Sequence, residues 1–412
     1  MRAWWLVFAS TSMGFFLWGL ITSLGYLVYP EFHNPAYLAV VAAMPLVGDL
    51  ALSRLSDAVV GRKRAFLATM SLYAAGSLLV ALDALYLSMN VAVFLAGYAL
   101  ATLAVEGEVP VSLAYLAEVT PAAIRDRALI LSTNFDNVGA AASAAIALAV
   151  YGSRSSYFAV ALSIAVASLA SLAAAAVLRS MIPESLRWLR ARGLAPADAA
   201  PPERAPARTR PTVGLLGRYS FLAALGVSQY ITYGLMAFVV ADYFFSGNYL
   251  NLVVLVANAA ASAAGLAAPV LEERVGSVRF ALISYVGGLL SMAPIAAWAL
   301  RWPAMWAFYP LLALNMAFSE FAWATRIVYE PALFPTERRA FMVGLVRAVP
   351  IAAYTASTYL TSSFGEAQFV VYNAALWALG AVASVAWRMR GYDVTGAALE
   401  VTSAPLTLQE PH

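Results

Sequence analysis

Four carboxylates interrupt stretches of this sequence that are otherwise built from apolar side chains. Glu106 and Glu108 break "ATLAVEGEVPVSLAYLAEVTP", residues 101–121. Asp136 lies in "STNFDNVG" between Asn134 and Asn137, and Glu320 follows the apolar run 302–319. A buried carboxylate is costly unless it is paired, protonated or turned towards water. Two roles suit such acids. One is proton carriage: a carboxyl group exposed alternately to two compartments loads a proton from one and releases it to the other. The other is structural, with the carboxyl hydrogen-bonded between helices.

At about 100° per residue, Glu106 and Glu108 point roughly 200° apart on a helix and face different surroundings. Glu108 shares a face with Ser112 and Tyr115, and Glu106 with Val109, Pro110 and Leu113. Glu108 reads as structural. Glu106, Asp136 and Glu320 are candidates for proton coupling, with the structural role still open for Glu106. Gln229 and Tyr233 in "SQYITYG" could contact a polar solute, as could Asn258 and Asn315, although polar groups that pack helices look the same. Arg326 has Glu330 one turn on, the spacing of an intrahelical pair. Arg347 has no acidic neighbour in its own apolar run.

Enzyme chemistry finds little footing. The chain has no cysteine, only two histidines, His33 and His412, and no nucleotide-binding loop. That leaves no catalytic constellation, no metal cluster and no implied cofactor.

The elements that must position these side chains follow from composition. Of 412 residues, 62% are hydrophobic and 11% charged, where a soluble domain carries about a quarter charged. Stretches of at least 17 residues free of Asp, Glu, Lys and Arg number twelve: 3–30, 32–48, 65–82, 84–105, 137–153, 155–178, 219–241, 243–271, 280–300, 302–319, 348–365 and 367–387. Each approaches the roughly 20 residues that span a bilayer. The fourth must continue through Glu106 to about Glu118, and the tenth past Glu320. "MRAWWLVF" runs straight into the first span without a cleavage site, so it reads as a span and not as a signal peptide. With the N-terminus inside, the outer loops hold only Arg154 and Arg301, so both termini are expected in the cytoplasm. The expected organisation is a six-helix bundle over 1–180, a cytoplasmic linker over 181–217, a second bundle over 218–390 and a polar tail, 391–412, that does not pack. The core of the linker, "APADAAPPERAPARTRPTV", lacks any hydrophobic period.

The chain partly overlays itself when shifted by 214 or 215 residues. Glu106 falls on Glu320, Tyr115 on Tyr329, Pro121 on Pro335, Arg125 on Arg339, Gly61 on Gly276 and Arg64 on Arg279. Two six-helix halves related by duplication are expected, with a solute site at mid-membrane between them.

The loops carry more specific marks. "GDLALSRLSDAVVGRKRAF" resembles the loop signature of the major facilitator superfamily, with Asp57, Gly61, Arg62 and Arg64 as its members. Ser53 replaces a usual glycine, and one extra residue separates Asp57 from Gly61. The second half offers "ERVGSVR", with Glu273 as the acid and Ser277 in place of the first basic residue. "YLAEVTPAAIRDR" is similar to a sugar-porter pattern, with Asp126 where a glycine is usual, and "PESLRWL" is close to that branch's motif after span six. Organic-ion and aromatic-acid transporters share these loops. "LFPTERRA" is a weaker copy, with Ala332 in place of the acid.

The resemblance implies an all-α membrane protein of twelve helices in two pseudo-symmetric bundles, in the cytoplasmic membrane. It further implies a cytoplasmic gate of Asp57, Arg62, Arg64, Glu118, Arg125, Glu184 and Arg187, with Glu273, Arg279, Arg338 and Arg339 serving the second half. Span eleven would pack on span two, so that Arg347 either bridges to Asp49 between the halves or binds an anionic substrate. The first-span aspartate of proton-coupled sugar porters is absent from "GFFLWGLITS", so coupling would rest on Glu106 or Asp136, or the protein is a facilitator. The function implied is secondary active transport of a small polar solute, a sugar or an organic anion, coupled to protons. A drug or metabolite exporter and a non-transporting receptor are the alternatives. The expected partners are the solute, protons and the lipid bilayer, with no nucleic acid, and the chain is expected to act as a monomer.

Overall fold

A backbone inside a bilayer must satisfy its own hydrogen bonds, which for a chain without barrel-type alternation means helices. The computed structural model describes residues 3–32, 35–43, 45–196, 211–301 and 304–405, and every regular element among them is helical. Twelve crossings follow in order. The first six are α1 (Ala3–Leu27), α2 (Pro45–Leu55, preceded by Pro35–Ala43), α3 (Gly61–Tyr86), α4 (Val91–Val119), α5 (Phe135–Arg154, preceded by Ala122–Thr133) and α6 (Tyr157–Met181). The second six are α7 (Leu215–Gly234, continued to Phe244), α8 (Asn248–Val275), α9 (Ser277–Arg301), α10 (Met305–Ala332), α11 (Arg339–Thr361) and α12 (Glu366–Arg390). Both His33 and His412 lie outside the described residues.

Ten helical stretches are long and apolar enough to cross a membrane on length and composition alone. One of them, Val41–Tyr86, is 46 residues long and covers both α2 and α3. Helix α10 has crossing length, 28 residues, but carries Glu320, Arg326 and Glu330. The fifth crossing starts well before residue 137, because Arg125, Asp126, Arg127 and Asp136 cut its apolar window. Local signals set some helix starts. Asn90 caps α4 by accepting from Ala92 N and Val93 N, and Ser156 caps α6 through Ala159 N.

Glycines let the crossings approach closely, as expected where lipid offers no hydrophobic drive. A Cβ on Gly139 of α5 would run into Phe16 O of α1, and one on Gly107 of α4 into Gly48 O of α2. Gly344 plays this part between the halves, laying α11 against Asp49 O and Ser53 of α2.

The internal repeat is structural. Gly61 and Gly276 open α3 and α9 with φ of 82° and 80°, which a side chain would resist. Arg125 Nε donates to Ala117 O at 3.1 Å, and its counterpart Arg339 donates to Pro331 O at 2.9 Å. The Tyr115 hydroxyl donates to Pro183 O, and the Tyr329 hydroxyl to Tyr392 O at 3.4 Å.

The tail corrects the sequence reading. Residues 391–405 fold back beneath the bundle on the face that carries the chain ends, here called the terminal face, with Tyr392, Val394, Ala398, Leu399 and Thr402 buried. The segment's average polarity hid the pattern: apolar residues that bury are interleaved with Asp393, Thr395 and Thr402, which hydrogen-bond. In the linker, Leu186–Ala191 forms a short helix capped by Ser185, with Trp188 buried. Residues 197–210 of the linker and 406–412 of the tail lie outside the described residues.

Candidate functional site

At mid-depth, between the halves, lies a small cavity of about 30 Å³. Helices α1 (Phe15, Trp18), α4 (Val109) and α5 (Asp136, Asn137) line it from one half. From the other half come α7 (Gln229, Tyr230, Tyr233), α10 (Ser319, Glu320, Trp323) and α11 (Arg347).

The polar bonds at this depth run largely from one half to the other. Arg347 of α11 pairs with Glu106 of α4, and its Nε lies 3.2 Å from Asp49 Oδ2 of α2. Trp323 Nε1 of α10 donates to Asp136 Oδ2 of α5 at 2.9 Å, and Asn137 Nδ2 donates to Glu320 Oε2 at 2.7 Å. Glu106 also accepts from Trp18 Nε1, so both its oxygens are used. Arg347 and Arg326 stack on Trp323 at 5.4 and 5.0 Å from its centroid. Arg326 is further held by Glu330 at 2.7 Å and by Gln229 at 2.8 Å.

The structure therefore divides the acids. Glu106 and Asp49 share the Arg347 guanidinium. Asp136 and Glu320 face the cavity with only neutral donors, and Glu320 Oε1 is buried with no hydrogen-bond partner among the described residues. Asp136 also accepts from Asn137 N at 2.5 Å. Glu108 points away from the cavity, bonded to Arg179 and to Thr69 Oγ1, as its structural reading expected.

Among the candidate solute contacts, Gln229, Tyr233 and Arg347 line the cavity and the two asparagines do not. Asn258 stands behind it and accepts from the Tyr233 hydroxyl at 2.8 Å. Asn315 ties α10 to α9 through Ser291 Oγ at 2.8 Å, because it lies more than one turn from Ser319 towards the other end of α10.

A second cavity, also of about 30 Å³, lies towards the face opposite the terminal one, and Trp18, Tyr230 and Tyr233 line both. Aromatic contacts between the halves meet there. Tyr26 of α1 stacks on Phe238 at 4.8 Å between centroids, and the Tyr354 hydroxyl donates to the Tyr26 hydroxyl at 2.9 Å.

Ionic contacts close the terminal face. Glu118 accepts Arg62 at 2.8 Å from its own half, Arg339 at 3.2 Å from the other, and Ser185 Oγ at 2.6 Å. Asp57 pairs with Arg62 at 2.5 Å and accepts from Phe341 N of the opposite half at 2.7 Å. Glu184 caps the start of α3 through Arg62 N and Lys63 N. Glu273 reaches across to Arg127 at 2.6 Å. Arg125 and Arg187 turn to the tail, at Ala397 O and Glu400. Arg64, Arg279 and Arg338 do not join: each is on the exposed side of its helix end and makes no ion pair among the described residues.

Trp18, Asn137, Arg127, Trp323 and Arg179 escaped the sequence reading. An indole N–H in mid-span needs an acceptor, and that need is the signal in the sequence that Trp18 offers.

A sequence model of the Major Facilitator Superfamily matches residues 5–350. No curated protein matches the sequence. Among solved structures, the proton:xylose symporter XylE bound to 6-bromo-6-deoxy-D-glucose is similar with a TM-score of 0.74 at 15% identity, covering 97% of this chain and 98% of that one. A partially occluded inward-open XylE from E. coli gives 0.70 at 14%, covering 95% and 99%. FucP in its outward conformation gives 0.64 at 13%, covering 94% and 99%. At these identities the likeness concerns the fold.

Proposed function

The chain belongs to the major facilitator superfamily and is a multi-pass membrane transporter, and from that premise we propose that it moves a small, uncharged polar solute coupled to protons carried by Asp136 and Glu320. One observation carries this reading: these two acids face the cavity without an ion-pair partner among the described residues, while its lining arginine, Arg347, is already held by Asp49 and Glu106. An anionic solute would have to displace one of those carboxylates. A neutral polyol instead meets hydroxyl, amide and carboxyl groups set among aromatic rings, a lining suited to a sugar. The sugar symporters among the similar structures support that choice of class.

The coupling follows from where the bonds run. Asp136 and Glu320 each bond to the opposite half, so protonation changes a contact that spans the interface. A carboxylate accepting an indole or amide N–H binds it more strongly than the neutral acid does. Loading a proton therefore weakens the bridge, and losing it restores the bridge. Charge pairs on the terminal face, proposed to be cytoplasmic, and aromatic contacts on the other face would act as the two alternating closures. In this scheme Glu106 is a fixed partner of Arg347 and Trp18, and not the carrier of the proton.

The same rings favour one rival. An organic cation over Trp323, between Asp136 and Glu320, would exchange with protons and make the protein an exporter. Proteoliposomes offered neutral sugars, organic cations and organic anions, each with and without a pH gradient, separate these readings. Gradient-driven uptake of a neutral sugar supports the proposal. Transport confined to cations, or indifferent to the gradient for every solute, overturns it.

A further inference from the structure

Asp242 is a buried acid that the transport scheme leaves unused. It lies at the end of α7, towards the face opposite the terminal one, about one turn beyond Phe238. Phe238 makes the ring contact with Tyr26 that closes that face. Both carboxyl oxygens of Asp242 are buried, and neither has a hydrogen-bond partner among the described residues. Tyrosines surround it. Tyr26 of α1, Tyr29 and Tyr37 between α1 and α2, Tyr157 of α6, Tyr243 of its own helix and Tyr354 of α11 all lie within electrostatic reach. Among the described residues no charged side chain does. The nearby hydroxyls are turned elsewhere: Tyr354 donates to Tyr26 at 2.9 Å, Tyr37 to Gly25 O at 3.0 Å, and Tyr243 to Thr358 O.

An acid in such surroundings has one chemical consequence that an amide or hydroxyl of the same size would lack. A carboxylate with neither a donor nor a cation does not stay ionised away from water, so the closed face holds Asp242 as the neutral acid. When the rings part, water reaches the carboxyl and it ionises as an ordinary aspartate does. The closed face therefore binds this proton more tightly than the open one. Low pH on that side favours closure, and closure weakens as the pH there rises.

We infer that Asp242 is a gate acid: the opposite face closes only over its protonated form, and the proton is taken from that side and returned to it without crossing the membrane. Asp136 and Glu320 differ, because they lie at mid-depth and bond from one half to the other. The inference rests on the alternating closure proposed above, but not on the solute or on which acids carry the transported proton.

Labelling of single thiols in the cysteine-free chain tests this without any solute. Thr22→Cys puts a thiol on the wall of the second cavity, behind the closure. Ser363→Cys, exposed just after α11, corrects for the ionisation of the thiol itself. An impermeant maleimide added at the opposite face should label the Thr22→Cys variant at least about tenfold faster at about pH 7.5 than at about pH 5.5, within the limit of about tenfold per pH unit that one linked proton sets. Asp242→Asn keeps the polarity and Asp242→Leu does not, yet both should label slowly at either pH. Ser53→Cys, on a fully buried site between α2 and α11, reports the terminal face. With the pH at the terminal face held constant, its labelling should slow as the pH at the opposite face rises. No rise in the parent, or a rise that survives in both Asp242 variants, overturns the inference. So does Ser53→Cys labelling that rises together with that of Thr22→Cys, which would mean a general loosening. An Asp242→Asn protein that keeps counterflow but loses gradient-driven accumulation would show that the proton crosses, and overturns it as well. Absence of gradient-driven transport in the parent, with labelling as predicted, counts against coupling through Asp136 and Glu320 and leaves the gate acid standing.

Discussion

Arg347 and Glu106 belong to opposite halves of the protein and pair at mid-depth, with Asp49 holding the same guanidinium from a third helix at 3.2 Å. Two carboxylates on one arginine make an asymmetric dependence. Losing either acid leaves the arginine one partner, whereas losing the arginine leaves two buried acids facing each other. Breaking a buried pair from one side costs about 3–5 kcal/mol. Arg347→Ala should therefore lower the thermal stability of the purified protein more than Asp49→Asn or Glu106→Gln does. The charge swap Asp49→Arg with Arg347→Asp should restore less than half of the loss, because Glu106 then faces a new acid. A full recovery would show that Glu106 takes no part.

Asp136→Asn and Glu320→Gln keep the size and polarity of the side chains but cannot release a proton. Each should abolish accumulation driven by a pH gradient while leaving exchange of internal for external solute within about threefold of the parent, since the chemistry of exchange needs no net proton movement. Parallel uptake and counterflow assays in proteoliposomes check this. Gradient-driven accumulation that survives in both variants and fails in Glu106→Gln would move coupling to Glu106.

Glu118 is the point at which the terminal-face network converges, accepting from Arg62, Arg339 and Ser185. Glu118→Gln should raise labelling of the Ser53→Cys variant from the terminal face at least as much as Asp57→Asn does. Arg127→Ala, whose pair is exposed to solvent, should change it little. Equal effects from all three would mean that burial of the network is irrelevant to closure.

The opposite face is closed by contact between rings. Tyr26→Ala removes both the stack on Phe238 and the bond to Tyr354, so a thiol introduced by Thr22→Cys in the second cavity should label several-fold faster from that face. Tyr26→Phe keeps the stack and should have at most a small effect. If the two variants label alike, the hydroxyl bond and not the ring holds the closure.

Much of the frame was legible in the sequence because a bilayer leaves a chain few choices. Charge-free runs located the crossings, and the offset of 214 or 215 residues located the duplication. The Asp49–Arg347 and Arg326–Glu330 pairs could be read because each buried charge must find a partner and the candidates were few. Less was legible where a partner is neutral. Trp18, Trp323 and Asn137 each give one hydrogen bond to an acid, and nothing in their spacing marks them out. The three gate arginines that stay outside the network show the converse: a matching position in a motif sets a residue's place on the helix end, not the direction its side chain takes. The packing of 391–405 is not legible in the sequence, because mean polarity cannot distinguish a solvated segment from one whose polar groups bond to the protein, as Asp393, Thr395 and Thr402 do.

Each half ends in its own hook, one on Gly61 and one on Gly276, so each bundle is finished within its own stretch of chain. Besides the chain itself, what joins them is non-covalent: the ion pairs, the indole and amide bonds, the rings and the tail's bonds to Asp126 and Arg125. In assembly terms the molecule is a fused heterodimer. Two polypeptides, 1–196 and 211–412, made together in one cell carry every interface described above and should find each other in the membrane.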